Sequence, residues 1–311
     1  MTASTAPFRS GFVCVVGRPN AGKSTLTNAI VGQKVAITSG RPQTTRHVIR
    51  GVVHRPDAQL VLVDTPGLHR PRTLLGERLN DLVRNTLTEV DVVVFCLPSD
   101  QRVGPGDRYI AQQLTELSQG RRGTPVVAVA TKADLVPKGR LAEHLMAIQQ
   151  LGEWADIVPV SAVEGFQVDT LIDVIVSHLR PGPALYPDGE LTDEPEAVMV
   201  AELVREAALE GVRDELPHSL AVVVDEITPR PGRDGSDGTE PFLDVRVQLF
   251  VERDSQKAIV IGKGGARLRD VGSTARRQIE ALLGARVYLD LHVKVAKDWQ
   301  RDPKQLRRLG F

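Results

Sequence analysis

Apolar runs followed by helical periods dominate the first 180 residues. Phe12–Val16, Gln59–Val63, the run around Cys96, Pro125–Ala130 and Ile157–Val160 predict strands. Between them, apolar positions three and four apart predict helices near Lys23–Gly32, Leu75–Glu89, Asp107–Ser118, Leu141–Gln150 and Val168–Leu179. This alternation implies an α/β layer, a mostly parallel sheet with helices on both faces. After Pro181-Gly182-Pro183 the pattern stops, and residues 182–194 hold four acidic and no basic residues, which reads as a linker. A second unit starts near Pro195. Glu196–Glu215 carries a helical stripe of Val198, Ala201, Leu203, Val204, Ala207, Ala208 and Val212. Strand-like Ser219–Thr228 and Phe242–Val251 flank Pro229–Pro241, a Gly-, Pro- and Asp-rich stretch that predicts a hairpin tip. A helix through Ile261, a Gly-rich turn, a helix to about Leu283 and the strand Ala285–Ala296 complete an α-β-β-α-α-β order.

The ends of the predicted strands carry the chemistry. Gly17-Arg18-Pro19-Asn20-Ala21-Gly22-Lys23-Ser24-Thr25 has the spacing of a P-loop. Its glycines let backbone N–H groups converge on phosphate, Lys23 brings charge to β- and γ-phosphates, and Ser24 offers an oxygen to Mg²⁺. Asp64-Thr65-Pro66-Gly67 places a carboxylate at a strand end to hold a Mg²⁺-bound water, and a Gly67 amide to meet a γ-phosphate. Thr131-Lys132-Ala133-Asp134 supplies, in Asp134, an acceptor for guanine N1–H and its exocyclic amine, which adenine cannot satisfy. A backbone N–H of Ser161-Ala162 can reach the guanine O6. Each tetrapeptide alone is weak, and Asp134 alone reads equally as a solvated turn residue. Four in order, each at a strand end, resemble the translation-factor class of small GTPases.

Composition sharpens the second unit. Basic and acidic residues balance at 39 each, yet residues 195–252 carry 5 basic and 13 acidic residues and residues 253–311 carry 14 and 6. The basic end predicts a polyanion-binding face. Within it, Gly262-Lys263-Gly264-Gly265 is a Gly-x-x-Gly turn between helices, the signature of a KH domain that clamps a single-stranded backbone. Lys263, Arg267, Arg269, Arg276 and Arg277 are its candidate phosphate contacts. Aromatic residues make up 4% of the chain, which argues for RNA binding through backbone and shape rather than stacking. Cys14 and Cys96 lie in apolar strands and read as packing thiols in a reducing compartment. Neither a signal peptide nor an apolar run of about 20 residues is evident, so a cytoplasmic protein is expected.

The whole chain resembles the Era family of bacterial ribosome-assembly GTPases. The matching pieces are Gly17–Thr25, Gln43-Thr44-Thr45-Arg46-His47, Asp64–Gly67, Lys132-Ala133-Asp134, Glu215-Leu216-Pro217, Val260–Ala266 and Leu306–Phe311. The resemblance implies an N-terminal tail (1–10), an Era-type GTPase domain (11–181), an acidic linker (182–194) and a type II KH domain (195–311). It further implies binding to the 3′ region of 16S rRNA and a role in 30S subunit assembly and rRNA maturation. Peripheral membrane association is also implied, without an evident amphipathic anchor. A GTPase of tRNA modification, an RNA-binding protein with an inert nucleotide site, and a P-loop ATPase or kinase are the alternatives, the last opposed by Asp134.

For catalysis, the family points to Thr45 as the second Mg²⁺ ligand beside Ser24, with Asp64 acting through water. The loop Thr38–Arg46 is then ordered by the γ-phosphate. Two departures stand out. Thr131 occupies the usual Asn position, with one hydroxyl in place of an amide. Leu68 occupies the place of a water-orienting Gln, so slow intrinsic hydrolysis is expected. Related GTPases with Asn at the Asn20 position bind K⁺, which marks Asn20 as a candidate K⁺ ligand. Arg18, Arg41 and Arg46 are weaker candidates for that charge and read as solvated or RNA-facing.

Overall fold

The computed structural model of the chain describes residues 7–38, 45–68, 73–120, 123–210, 216–230 and 241–311. They divide into two compact units. The first holds the described residues up to Asp193 except 73–78; the second holds 73–78 and everything from Glu194 onward.

In the first unit, β1 (Arg9–Gly17), β2 (Ile49–His54), β3 (Ala58–Asp64), β4 (Val92–Pro98), β5 (Val126–Thr131) and β6 (Asp156–Pro159) form one sheet. Its order is β2-β3-β1-β4-β5-β6, with every neighbouring pair parallel except β2–β3. Strand periodicity divides β1 between two cores. Val13 and Val15 pack with Leu26 and Ile30 of α1 (Lys23–Val31) and with Leu171 and Ile175 of α5 (Val168–His178). Cys14 and Val16 pack with Val83 and Leu87 of α2 (Leu74–Glu89), Ile110 and Leu114 of α3 (Pro105–Ser118) and Ile148 of α4 (Lys138–Gln149). Both cysteines are buried free thiols. Parallel strands with helices on both faces leave the C-terminal strand ends open for a ligand.

The acidic stretch from 182 is not a free connector as far as Asp193. The Val52 N–H donates to Leu191 O at 2.9 Å, Gln59 Oε1 accepts from the Tyr186 N–H at 2.9 Å, and Arg50 pairs with Asp193 at 3.0 Å. The segment thus satisfies backbone groups of β2, the sheet's antiparallel edge, which would otherwise be open to pairing.

The second unit runs α6 (Glu196–Leu209), α7 (Leu216–Ser219), β7 (Ala221–Pro229), β8 (Phe242–Val251), α8 (Asp254–Ile261), a 3₁₀ turn at Lys263–Gly265, α9 (Ala266–Leu283), β9 (Arg286–Val295) and α10 (Pro303–Arg308). Its sheet has the order β7-β8-β9, antiparallel then parallel. The first helix is shorter than its stripe suggests and ends at Leu209. Val212 and Glu215 fall outside the described residues, as do Arg41, Gln43, Thr44 and most of the expected hairpin tip. Ser219, expected in a strand, closes α7. Helix α10 was not anticipated from periodicity. Asp302 caps it by accepting from the Lys304 N–H at 2.8 Å, and the fully buried Trp299 anchors the segment by donating to Ser219 O at 2.9 Å.

Candidate nucleotide site and nucleic-acid interface

At the open strand ends of the first unit, β1 turns into α1 through the Gly17–Thr25 loop. Lys23 is buried, with its ammonium 3.1 Å from Arg18 O and 3.4 Å from Gly17 O. These are carbonyls it can exchange for phosphate oxygens. Asp64, the last residue of β3, is fully buried and accepts from Ser24 Oγ at 2.7 Å and from Thr45 Oγ1 at 3.2 Å. Ser24 Oγ and Thr45 Oγ1 are themselves 2.9 Å apart. Asp64 Oδ1 is buried without a partner. One carboxylate with an unsatisfied oxygen beside two hydroxyls is the hard-oxygen donor set that suits Mg²⁺. Burial holds the Lys23 ammonium below its ordinary pKa and the Asp64 carboxyl above its own; each charge partly offsets this for the other.

The second strand-end loop packs directly on the first. A Cβ on Gly67 would lie 2.7 Å from Pro19 N and 2.9 Å from its Cα, so only glycine permits this approach of backbone to backbone. Thr65 is buried and fixed by donating to Val15 O at 2.8 Å. Leu68 is buried in the core, with its N–H given to Gly17 O at 3.2 Å, and cannot position a water.

The guanine-type loop has a clear internal logic. The buried Thr131 Oγ1 donates to Ala21 O at 2.7 Å, so its single donor braces the P-loop. Lys132 adopts φ 56° and pairs with Asp100 at 3.2 Å, and the Ala133 N–H donates to Val160 O. That turn leaves Asp134 exposed beside the loop. The Ser161 N–H is given to Phe166 O at 3.1 Å, so of the two amides Ala162 is the remaining candidate donor for a base O6. Asn20 is exposed with φ 62°. Thr131→Ala is expected to weaken GTP binding about tenfold, because Ala21 O loses its buried donor. A fluorescent-nucleotide titration measures this, and unchanged affinity would show that the brace is immaterial.

Two arginines read as solvated are not. Arg18 pairs at 2.6 Å with Asp107, which is 1% exposed, and Arg46 is fully buried. Burial of these long side chains depends on elements distant in sequence, which no local pattern reveals.

In the second unit, Gly262, Gly264 and Gly265 all have positive φ at the turn between α8 and α9. Lys263 and Gly264 are exposed. Beside the turn, Gly265, Arg269, Gly272, Arg276, Tyr288 and Leu291 line a groove of about 470 Å³ between α9 and β9. The five basic candidates therefore separate. Arg269 and Arg276 line the groove. Arg277 is exposed but does not line it. Arg267 is already committed, donating to Glu210 O at 2.7 Å and Ala208 O at 3.2 Å at the end of α6. Tyr288 was missed. It is 54% exposed, with the Arg230 guanidinium 5.0 Å from its ring centre. A single ring in a groove offers a base a stacking surface whatever the chain-wide aromatic content, which makes Tyr288 a candidate beside the backbone contacts.

Comparison with known proteins covers the whole chain. Residues 12–132 match a family model described as 50S ribosome-binding GTPase, and residues 215–300 match one described as KH domain. "GTPase Era" of Mycobacterium avium (strain 104) is 68% identical over 305 residues, covering 98% of this chain and 99% of its own length. "GTPase Era" of Streptomyces coelicolor is 67% identical over 308 residues, covering 97% and 95%. A crystal structure of Era in complex with MgGDPNP and nucleotides 1506–1542 of 16S ribosomal RNA superimposes with a TM-score of 0.91 at 36% identity, over 97% of this chain and 99% of that one. An Aquifex aeolicus Era variant bound to GDP.AlF4- gives 0.91 at 35% identity, with the same coverage.

Proposed function

The chain belongs to the Era family of GTPases, and on that premise we propose that it binds the 3′ region of 16S rRNA through its KH unit and assists 30S assembly and rRNA maturation. The observation that carries the RNA half is the triple-glycine turn opening onto the α9–β9 groove, flanked by Lys263, Arg269 and Arg276. Without side chains, the glycines let a phosphate approach the backbone of the turn closely, and the groove holds unstacked bases. The family matched by the N-terminal unit is described as 50S ribosome-binding. That match ends at residue 132 and contains no part of the KH unit, so we give more weight to the relative with 16S rRNA, which matches over 97% of the chain.

The enzyme hydrolyses GTP to GDP and phosphate. Residues 17–25 wrap the phosphates, and Lys23 leaves the Gly17 and Arg18 carbonyls for β- and γ-oxygens. Ser24 and Thr45, with Asp64 acting through a water, would hold Mg²⁺, which when bound would neutralise charge on those oxygens. Thr45, within hydrogen-bond distance of Ser24 and Asp64, is the residue of the Thr38–Arg46 loop that would sense the γ-phosphate. Asp134 and the Ala162 amide select guanine. Crosslinking of the full chain to cellular RNA, with GDP and with a non-hydrolysable GTP analogue, tests the proposal. Recovery of the 16S 3′ end is expected; recovery of tRNA instead would overturn it.

With Leu68 buried, no side chain there orients the attacking water. Asn20, exposed beside the phosphate loop, supports a K⁺ ion as the missing positive charge. Hydrolysis is expected to run roughly tenfold faster in K⁺ than in Na⁺ at equal ionic strength, and Asn20→Ala to remove the difference. Equal rates in both salts at saturating GTP would refute the cation.

A further inference from the structure

A cavity of the first unit, about 670 Å³, opens between α3 and α4, and no residue of the phosphate loop lines it. Its size is that of a small-molecule site. Three guanidinium groups line it: Arg102, Arg108 and Arg140. All three are exposed, and among the described residues none is paired with an acidic side chain. Glu143 is the one acidic lining residue, so the lining carries two more basic than acidic side chains, with Asp100 and Asp107 near enough to act on His144.

The wall between them is polar and buried. Ser99 is 7% exposed, and its hydroxyl is buried without a hydrogen-bond partner. Leaving a buried hydroxyl without a partner is costly, so Ser99 has a donor to give to a ligand that reaches it from the cavity. His144 is 8% exposed, lies 3.4 Å from Leu97 O, and is held by burial below its ordinary pKa. It contributes a neutral polar edge, and the positive charge comes from the arginines alone.

We propose that this α3–α4 cavity binds a small phosphoryl-bearing anion, held by Arg102, Arg108 and Arg140 and completed by the Ser99 hydroxyl. Guanidinium forks match phosphoryl oxygens two at a time, whereas an isolated hydroxyl suits the remaining oxygen. The site also touches the guanine loop. The Ser99 N–H donates to Thr131 O at 2.8 Å, and the next residue, Asp100, pairs with Lys132. An anion that pulls on Ser99 therefore acts on the Thr131 carbonyl and, through Asp100, on the Lys132 side chain, and occupancy changes the release rate of guanine nucleotide. This goes beyond the proposed function, which uses neither the cavity nor its arginines.

The test uses the full chain saturated with GDP, so that the phosphate loop is filled, titrated calorimetrically with inorganic phosphate and with pyrophosphate. Saturable binding is expected, tighter for pyrophosphate, with at least a tenfold loss in an Arg108→Gln/Arg140→Gln variant. Both side chains are exposed, so the variant retains its fold, and unchanged GDP affinity verifies this. Ser99→Ala provides a second variant, with a smaller loss expected. Stopped-flow release of a fluorescent GDP should change with pyrophosphate in the wild type and not in the double variant. No saturable binding up to about 10 mM, equal binding by wild type and both variants, or abolition by Lys23→Ala in place of the arginine changes would overturn the proposal. So would protection of the cavity by an RNA oligonucleotide without any binding of the free anions.

Discussion

Asp134→Asn is expected to lower GTP affinity about 10³-fold and to raise affinity for xanthosine triphosphate. Two charge-assisted hydrogen bonds to N1–H and the exocyclic amine are lost, and each contributes roughly 1.5–3 kcal/mol. The substituted amide donates where guanine also donates, but meets a carbonyl on xanthine. The fold should be unaffected. Asp134 is exposed, and the loop's shape is set by groups that do not change: Lys132 at φ 56°, its pair with Asp100, and the Ala133 N–H on Val160 O. Competition titrations with GTP, ATP and xanthosine triphosphate measure the effect. Unchanged GTP affinity would remove Asp134 from the base site, and equal loss for all three nucleotides would point to collapse of the loop.

Gly264→Asp is expected to weaken RNA binding by one to two orders of magnitude while GTP binding stays intact. Gly264 sits at φ 60°, ψ 23°, and nothing lies within 4 Å of where its Cβ would be. Aspartate and asparagine tolerate this left-handed region better than other residues, so the substitution strains the turn by about 1 kcal/mol at most. What it adds is a negative charge on the phosphate side of the turn. Gly264→Asn carries the same Cβ without the charge and separates the two effects. If a phosphate contact is lost, the slope of log affinity against log salt should flatten by about 0.7 per contact for a single strand. Equal affinity and equal slope for Asp and wild type would reduce the turn to a helix connection.

How much of this was legible beforehand follows from the range of each interaction. The phosphate loop, the Asp64 strand end, the guanine tetrapeptide and the Gly-x-x-Gly turn were readable because each works through a few consecutive residues. Their backbone conformation, with glycines or short polar residues at special φ, is itself the chemistry. The layered α/β order was legible for the same reason, since buried strands and amphipathic helices declare themselves within about ten residues.

Tertiary structure decided which side chains remain available. Sequence placed Arg267 with Arg269 and Arg276 as one basic cluster, but Glu210 and Ala208, nearly 60 positions away, capture Arg267. Arg18 meets Asp107 across 89 positions, and Thr131 meets Ala21 across 110. The acidic segment after 182 looked like a connector until the edge of β2 and β3, over 120 positions earlier, was seen to bind it. Sequence thus determined that the chain carries a P-loop GTPase unit and a KH-type glycine turn, because those are local backbone devices. Which arginines, amides and hydroxyls are left for ligands was decided by packing, because a side chain's partner depends on what folding brings beside it.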